Sequence, residues 1–71
     1  MISINKESFN KLLGKENLKV SQFANKLGIS RTQVWRVLNF KCNPGTEFIA
    51  RFKQAYPKEK FEEYFFIDGV A

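Results

Sequence analysis

Residues 18–44, from Leu18 to Pro44, are LKVSQFANKLGISRTQVWRVLNFKCNP, and this stretch decides the fold. Val20, Phe23, Ala24 and Leu27 recur at i, i+3, i+4 and i+7, the spacing of one helix face, so a helix is expected over about 20–27. Gly28 ends it, because glycine enters the left-handed conformation of a helix terminus at least cost. Ser30 is a good N-cap and opens a further helix over about 31–38. Isolated helices need about 12–15 residues to persist in water, so neither segment can stand alone. The two must be locked together across Gly28-Ile29-Ser30 and against the rest of the chain.

On a wheel of about 100° per residue, Val34, Val37 and Leu38 share one sector of the second of these helices. Thr32 and Arg36 point away from it, Gln33 and Trp35 lie on the flanks, and Arg31 can swing free in the first turn. The outward face therefore carries two guanidinium groups, an amide, a hydroxyl and an indole, with no acid. Such a set suits the major groove of duplex DNA, which admits an α-helix. There Arg can bond guanine O6 and N7 together, Gln can bond adenine N6 and N7, and the Thr methyl can meet thymine. Trp35 also has a plainer reading, as a half-buried residue covering a helix seam.

Charge points the same way. The chain of 71 residues has a net charge of +5, and eight of its basic residues lie in the first 43, against Glu7 and Glu16. Between Glu16 and Glu47 run 30 residues with five basic side chains and no acid. A surface that meets phosphates cannot carry carboxylates without losing affinity at each contact.

Working outward, residues 5–16 read as a helix capped by Asn5, with Phe9, Leu12 and Leu13 on one face. Pro44-Gly45-Thr46 starts a fourth helix through about Tyr56, burying Phe48, Ile49, Phe52, Ala55 and Tyr56. Pro57 suits a first-turn position, so a fifth helix is expected over about 58–65, carrying Phe61, Tyr64 and Phe65. Residues 66–71 read as a short tail. No alternation of period two persists, and the expected fold is all-α: five short helices in a single domain over residues 1–71.

Composition excludes much else. There is no His and one Cys, so no internal disulfide and no multi-thiolate metal site can form. With no His and no evident carboxylate pair, no general base can be assigned, and the chain is expected not to be an enzyme. No cofactor or small-molecule ligand is evident. The longest apolar run, Tyr64–Ile67, is far short of the roughly 20 residues of a membrane span. The N-terminus has no basic segment followed by an apolar one, so a reduced, cytoplasmic protein is expected. Cys42, beside Lys41, reads as an incidental reduced thiol.

The residues Phe23-Ala24, Leu27-Gly28-Ile29-Ser30, Val34, Val37-Leu38-Asn39 and Pro44 resemble the helix-turn-helix of the phage Cro/repressor type, also called the xenobiotic response element family. With flanking helices the resemblance covers about residues 5–66. It implies a lambda-repressor-like fold and a sequence-specific, double-stranded-DNA-binding transcriptional regulator, such as a small repressor of a phage or mobile element. It assigns base reading to Arg31, Thr32 and Arg36, supplemented by Gln33 and Trp35. It assigns phosphate contacts to Lys19, Ser21, Gln22, Asn39, Lys41 and Asn43. The sequence departs from the pattern at Lys19, where Ser or Thr is usual, so that the cap weakens or shifts to Ser21. It departs again at Phe40, where Gly is usual, so that either Asn39 takes the left-handed conformation or Phe40 reaches back to the core. Family members often bind as dimers, and Tyr64, Phe66 and Ile67 form the candidate dimer surface.

Two other functions fit the same residues. A protein-interaction module, an antirepressor or antitoxin, would use the aromatic C-terminus on a partner. A non-specific single-strand or RNA binder would use Trp35 as a stacking platform.

Overall fold

A computed structural model describes residues 2–67. It contains β1 (Ile2–Ile4), α1 (Lys6–Glu16), α2 (Val20–Leu27), α3 (Arg31–Leu38), α4 (Thr46–Ala55), α5 (Phe61–Tyr64) and β2 (Phe65–Ile67). The chain is mostly helical, with the expected five helices and, in addition, a small sheet. In that sheet β1 pairs antiparallel with β2, placing Ile2 opposite Ile67, Ser3 opposite Phe66 and Ile4 opposite Phe65. The all-α expectation is corrected to that extent. Strands of three residues are too short to show a period of two, and their partners lie at opposite ends of the sequence.

Phe9 of α1 organises the core. Its ring is fully buried and meets Phe23, Phe48, Phe52, Tyr64 and Phe65 edge-on, with centroids 5.1–6.2 Å away. Every described element sends at least one side chain into the core around this cluster, α3 through Val34, Val37 and Leu38. Asn5 joins the two halves. Its side-chain oxygen accepts from the Ser8 N–H at 3.4 Å, while its own N–H donates to the Tyr64 carbonyl at 2.8 Å. One residue thus caps α1 and holds the end of α5.

The fifth helix is shorter than expected, a single turn of four residues. Pro57 opens a turn instead of a helix: the Glu59 N–H donates back to the Tyr56 carbonyl at 3.1 Å. Proline presets the backbone for the second position of such a turn. Phe65 then leaves the helix for β2, and its ring is buried beside Phe9. Of the expected tail, Phe66 and Ile67 belong to β2, and residues 68–71 lie outside the described residues.

Three consecutive helices end in the same motif. After α1, the Asn17 N–H donates to Gly14 and the Leu18 N–H to Leu13. After α2, Gly28 donates to Asn25 and Ile29 to Ala24. After α3, Phe40 donates to Val37 and Lys41 to Arg36. This is the Schellman arrangement, which satisfies the last carbonyls and requires a left-handed residue just past the helix. Asn17 has φ 55°, Gly28 75° and Phe40 60°. Gly and Asn adopt that conformation readily, whereas a bulky side chain there is an outlier.

A polar cluster ties three helices at one edge. The Tyr56 hydroxyl donates to Glu16 Oε1 at 2.8 Å, Lys26 Nζ donates to the same oxygen at 3.1 Å, and the Lys26 ammonium lies 4.5 Å from the Tyr56 ring centroid. Both partners hold the Glu16 carboxyl below its ordinary range, Tyr56 most strongly. No helix among the described residues is long and apolar enough to cross a membrane.

Candidate nucleic-acid interface

The rotation of α3 about its own axis is set by three buried residues. Val34, Val37 and Leu38 are at most 5 % exposed. With that face inward, Arg31, Thr32, Trp35 and Arg36 are exposed and Gln33 is half-covered. Trp35 is 48 % exposed, half-buried as its plainer reading also expects, with the rest of the indole open to solvent. Ser30 holds the start of the helix, its Oγ accepting from the Gln33 N–H at 3.1 Å.

The turn brings the first helical turn of α3 against the start of α2. Lys19, Val20, Ser21, Arg31, Thr32 and Trp35 line one open hollow of about 550 Å³. Ser21, Gln22 and Arg31 share the adjoining one, of about 440 Å³, with Ala24, Asn25 and Ile29. Three of the expected phosphate contacts and three of the expected base readers therefore form one surface. Arg36 projects from the last turn of α3, outside these hollows.

Of the two alternatives for the start of α2, the weakened cap is the one found. Its cap does not shift to Ser21. Lys19 occupies the cap position with no side-chain bond to the helix, and its own N–H is taken by Gln22 Oε1 at 2.8 Å. The first-turn N–H groups of α2 thus have no side-chain cap, and they carry partial positive charge suited to an anion.

The loop after α3 corrects both alternatives expected for Asn39 and Phe40. Asn39 does not take the left-handed conformation (φ −105°); Phe40 does. Nor does Phe40 reach back to the core, since it is 62 % exposed. The Asn39 side chain is occupied: Nδ2 donates to the Trp35 carbonyl at 2.8 Å and Oδ1 accepts from Lys6 Nζ at 3.4 Å. It completes the end of α3, and the second N–H of its Nδ2 remains for another acceptor. Lys41, Cys42 and Asn43 are exposed.

No family model, curated protein or solved structure matches the chain.

The electrostatics are one-sided. Among the described residues two ion pairs form, Lys11–Glu7 and Lys26–Glu16. Lys26 is thus compensated, and the acid-free stretch holds four other basic residues, Lys19, Arg31, Arg36 and Lys41, that enter neither pair. Two further cations come from outside the stretch. Lys6 reaches Asn39 and Phe40 from α1. Arg51 of α4 stands beside Gly28, where an added Cβ would come within 3.3 Å of its Nη1. Neither was legible from local spacing, because each arrives from another helix.

The candidate dimer surface is only partly exposed. Tyr64 is 6 % exposed, its ring packed on Phe9 and Phe52 and its hydroxyl donating to Glu59. It belongs to the core, because the single turn of α5 aims it at α1 and α4. Phe66 and Ile67 are exposed on β2.

Proposed function

We propose that this chain is a helix-turn-helix protein of the Cro/repressor type with a lambda-repressor-like fold, and that it binds double-stranded DNA in a sequence-specific way to regulate transcription as a small repressor. The observation that carries the reading is the outward face of α3. Arg31, Thr32, Trp35 and Arg36 are exposed without an acidic neighbour on their helix, and the first three adjoin Lys19 and Ser21 across one hollow.

In this reading α3 lies in the major groove. Arg31 and Arg36 read guanine edges, and Thr32, Gln33 and Trp35 contact neighbouring bases. Lys19, Ser21, Gln22 and the open N–H groups of α2 take phosphates on one side, and Lys41 and Asn43 on the other. Occupancy of the operator is itself the means of repression. Exposed Phe66 and Ile67 form the dimer contact, pairing two domains on half-sites about 34 Å apart. No enzymatic step is part of this function.

Random-site selection on duplex DNA tests it, followed by a shift assay on the selected sequence. Arg36→Ala is expected to lower discrimination against a scrambled duplex by about 1–3 kcal/mol. An unchanged specificity ratio defeats the assignment, as does selection that enriches no sequence. Sedimentation of the free protein and of a Phe66→Ala, Ile67→Ala double variant tests the dimer.

A further inference from the structure

Phe40 combines three properties that a packing residue does not. It is the most exposed of the large apolar side chains among the described residues, at 62 %. Its backbone is held at φ 60°, the left-handed position of the motif that ends α3. The equivalent positions after α1 and α2 carry Asn17 and Gly28, the residue types that fit. Local stability therefore favours Gly or Asn at position 40, where a largely exposed phenyl ring gains little from packing.

The surroundings of the ring give its partner a chemistry. The Lys6 ammonium lies 5.9 Å from the ring centroid, held there by Asn39 Oδ1. An ammonium has three donors, so Lys6 keeps two for another acceptor. Lys41 follows in the loop, its N–H anchored on the Arg36 carbonyl at 2.8 Å. No acidic residue occurs between Glu16 and Glu47. An apolar face with the Lys6 ammonium beside it and a second lysine next in sequence, at the exit of α3, fits a ligand that offers an apolar surface flanked by negative charges. The sugar–phosphate backbone is such a ligand, with deoxyribose between successive phosphates.

We infer that Phe40 packs against a deoxyribose of bound duplex DNA at the end of α3, with Lys6 and Lys41 on the phosphates either side. The inference rests on the proposed DNA-binding function and adds a contact that is apolar and indifferent to base identity. It also brings α1 into the interface through Lys6. Backbone strain retained at an exposed ring is then the cost of presenting that ring to DNA.

The test uses Phe40→Gly and Phe40→Asn, which suit the left-handed backbone and remove the ring, and Lys6→Gln. Affinities are measured for the selected duplex and for an unrelated one across a salt series. Both Phe40 variants are expected to bind each duplex about tenfold more weakly, the worth of roughly half-burying a ring. Their specificity ratio stays at the wild-type value and their thermal midpoint does not fall. Lys6→Gln is expected to reduce the salt slope by about 1. Affinity of the Phe40 variants within about twofold of wild type, while Arg36→Ala still loses discrimination, overturns the inference and spares the proposed function. A changed sedimentation of free Phe40→Gly with unchanged DNA affinity overturns it too, by making the ring a protein contact. A wild-type chain that binds no duplex overturns both.

Discussion

The turn between α2 and α3 can be probed with one substitution made at two places. Gly28 has φ 75°, where a side chain is strained, and a Cβ added there would lie 3.3 Å from Arg51 Nη1. That contact is with the far end of a flexible, exposed side chain and yields at little cost. The backbone does not yield, because both hydrogen bonds of the motif depend on it: Gly28 N–H to Asn25 at 3.2 Å and Ile29 N–H to Ala24 at 3.1 Å. A left-handed non-glycine residue costs about 1–2 kcal/mol. The stiffer unfolded chain of an alanine variant returns about 0.4–1 kcal/mol. Gly28→Ala is thus expected to destabilise by about 1 kcal/mol, a fall of about 4–8 °C in Tm for a domain of this size. Gly14 lies within α1, with nothing within 4 Å of an added Cβ and no positive φ. There the same change is expected to stabilise by about 0.5–1 kcal/mol. Thermal unfolding followed by circular dichroism reads both. A Gly28→Ala midpoint at or above wild type, or shifts of the same sign at the two positions, refutes the reasoning about the turn.

Other outcomes follow from the core and from titrating groups. Phe9→Ala removes the ring at the centre of five aromatic contacts and is expected to cost about 3–5 kcal/mol in urea denaturation. That is a large part of the roughly 4–11 kcal/mol available to a chain of this length, whereas Phe66→Ala stays within about 0.5 kcal/mol. The Glu16 carboxyl is held low by the Tyr56 hydroxyl and then by Lys26, so its contribution is complete above pH 4.5 and is lost as pH falls through its lower folded value. The acid limb of a Tm-against-pH curve should therefore be shallower in Glu16→Gln, and an identical limb contradicts this. Burial raises both tyrosines above 10.0, with Glu16 adding to the effect at Tyr56 and Glu59 at Tyr64. Their contribution is complete below pH 10.0 and is lost as pH rises past it. Phenolate absorbance should accordingly appear together with alkaline unfolding, and half-ionisation at pH 10.0 in a fully folded chain argues against it.

How much was legible follows from the range of each signal. The helices α1 to α4 are where periodicity and caps place them, because an amphipathic face repeats every turn and Asn5, Gly28 and Ser30 act on adjacent residues. The sheet, the single-turn α5 and the burial of Tyr64 were not legible. Each depends on the two ends of the chain meeting at Phe9, which no local pattern records. In the site, α3 could be read as a wheel, and Arg31, Thr32, Trp35 and Arg36 lie on its exposed face. Lys6 and Arg51 could not, since they come from α1 and α4. The occupation of Asn39 also escaped, because its partners are the Trp35 carbonyl one turn back and a lysine 33 positions away. Phe40 carried a sequence signal, a ring where glycine is usual, but its resolution needed the hydrogen bonds of Lys41 and Phe40 to Arg36 and Val37.

The arrangement separates what holds α3 from what α3 presents. Val34, Val37 and Leu38 fix its rotation from inside, and Ser30 and Asn39 close its two ends with side-chain bonds to its backbone. Thr32, Trp35 and Arg36 make none of the side-chain hydrogen bonds or ion pairs found among the described residues and lie outside the core. Substitutions at these positions should therefore cost little stability, typically within about 0.5 kcal/mol for exposed sites. Binding preference can then change while the scaffold does not. Phe40 runs against this separation: the conformation that suits the end of α3 disfavours its ring, so there a gain in stability is expected to accompany a loss of affinity. Opposite signs at one residue distinguish a group kept for a partner from one kept for the fold, and Phe40→Gly is the variant in which both signs can be measured.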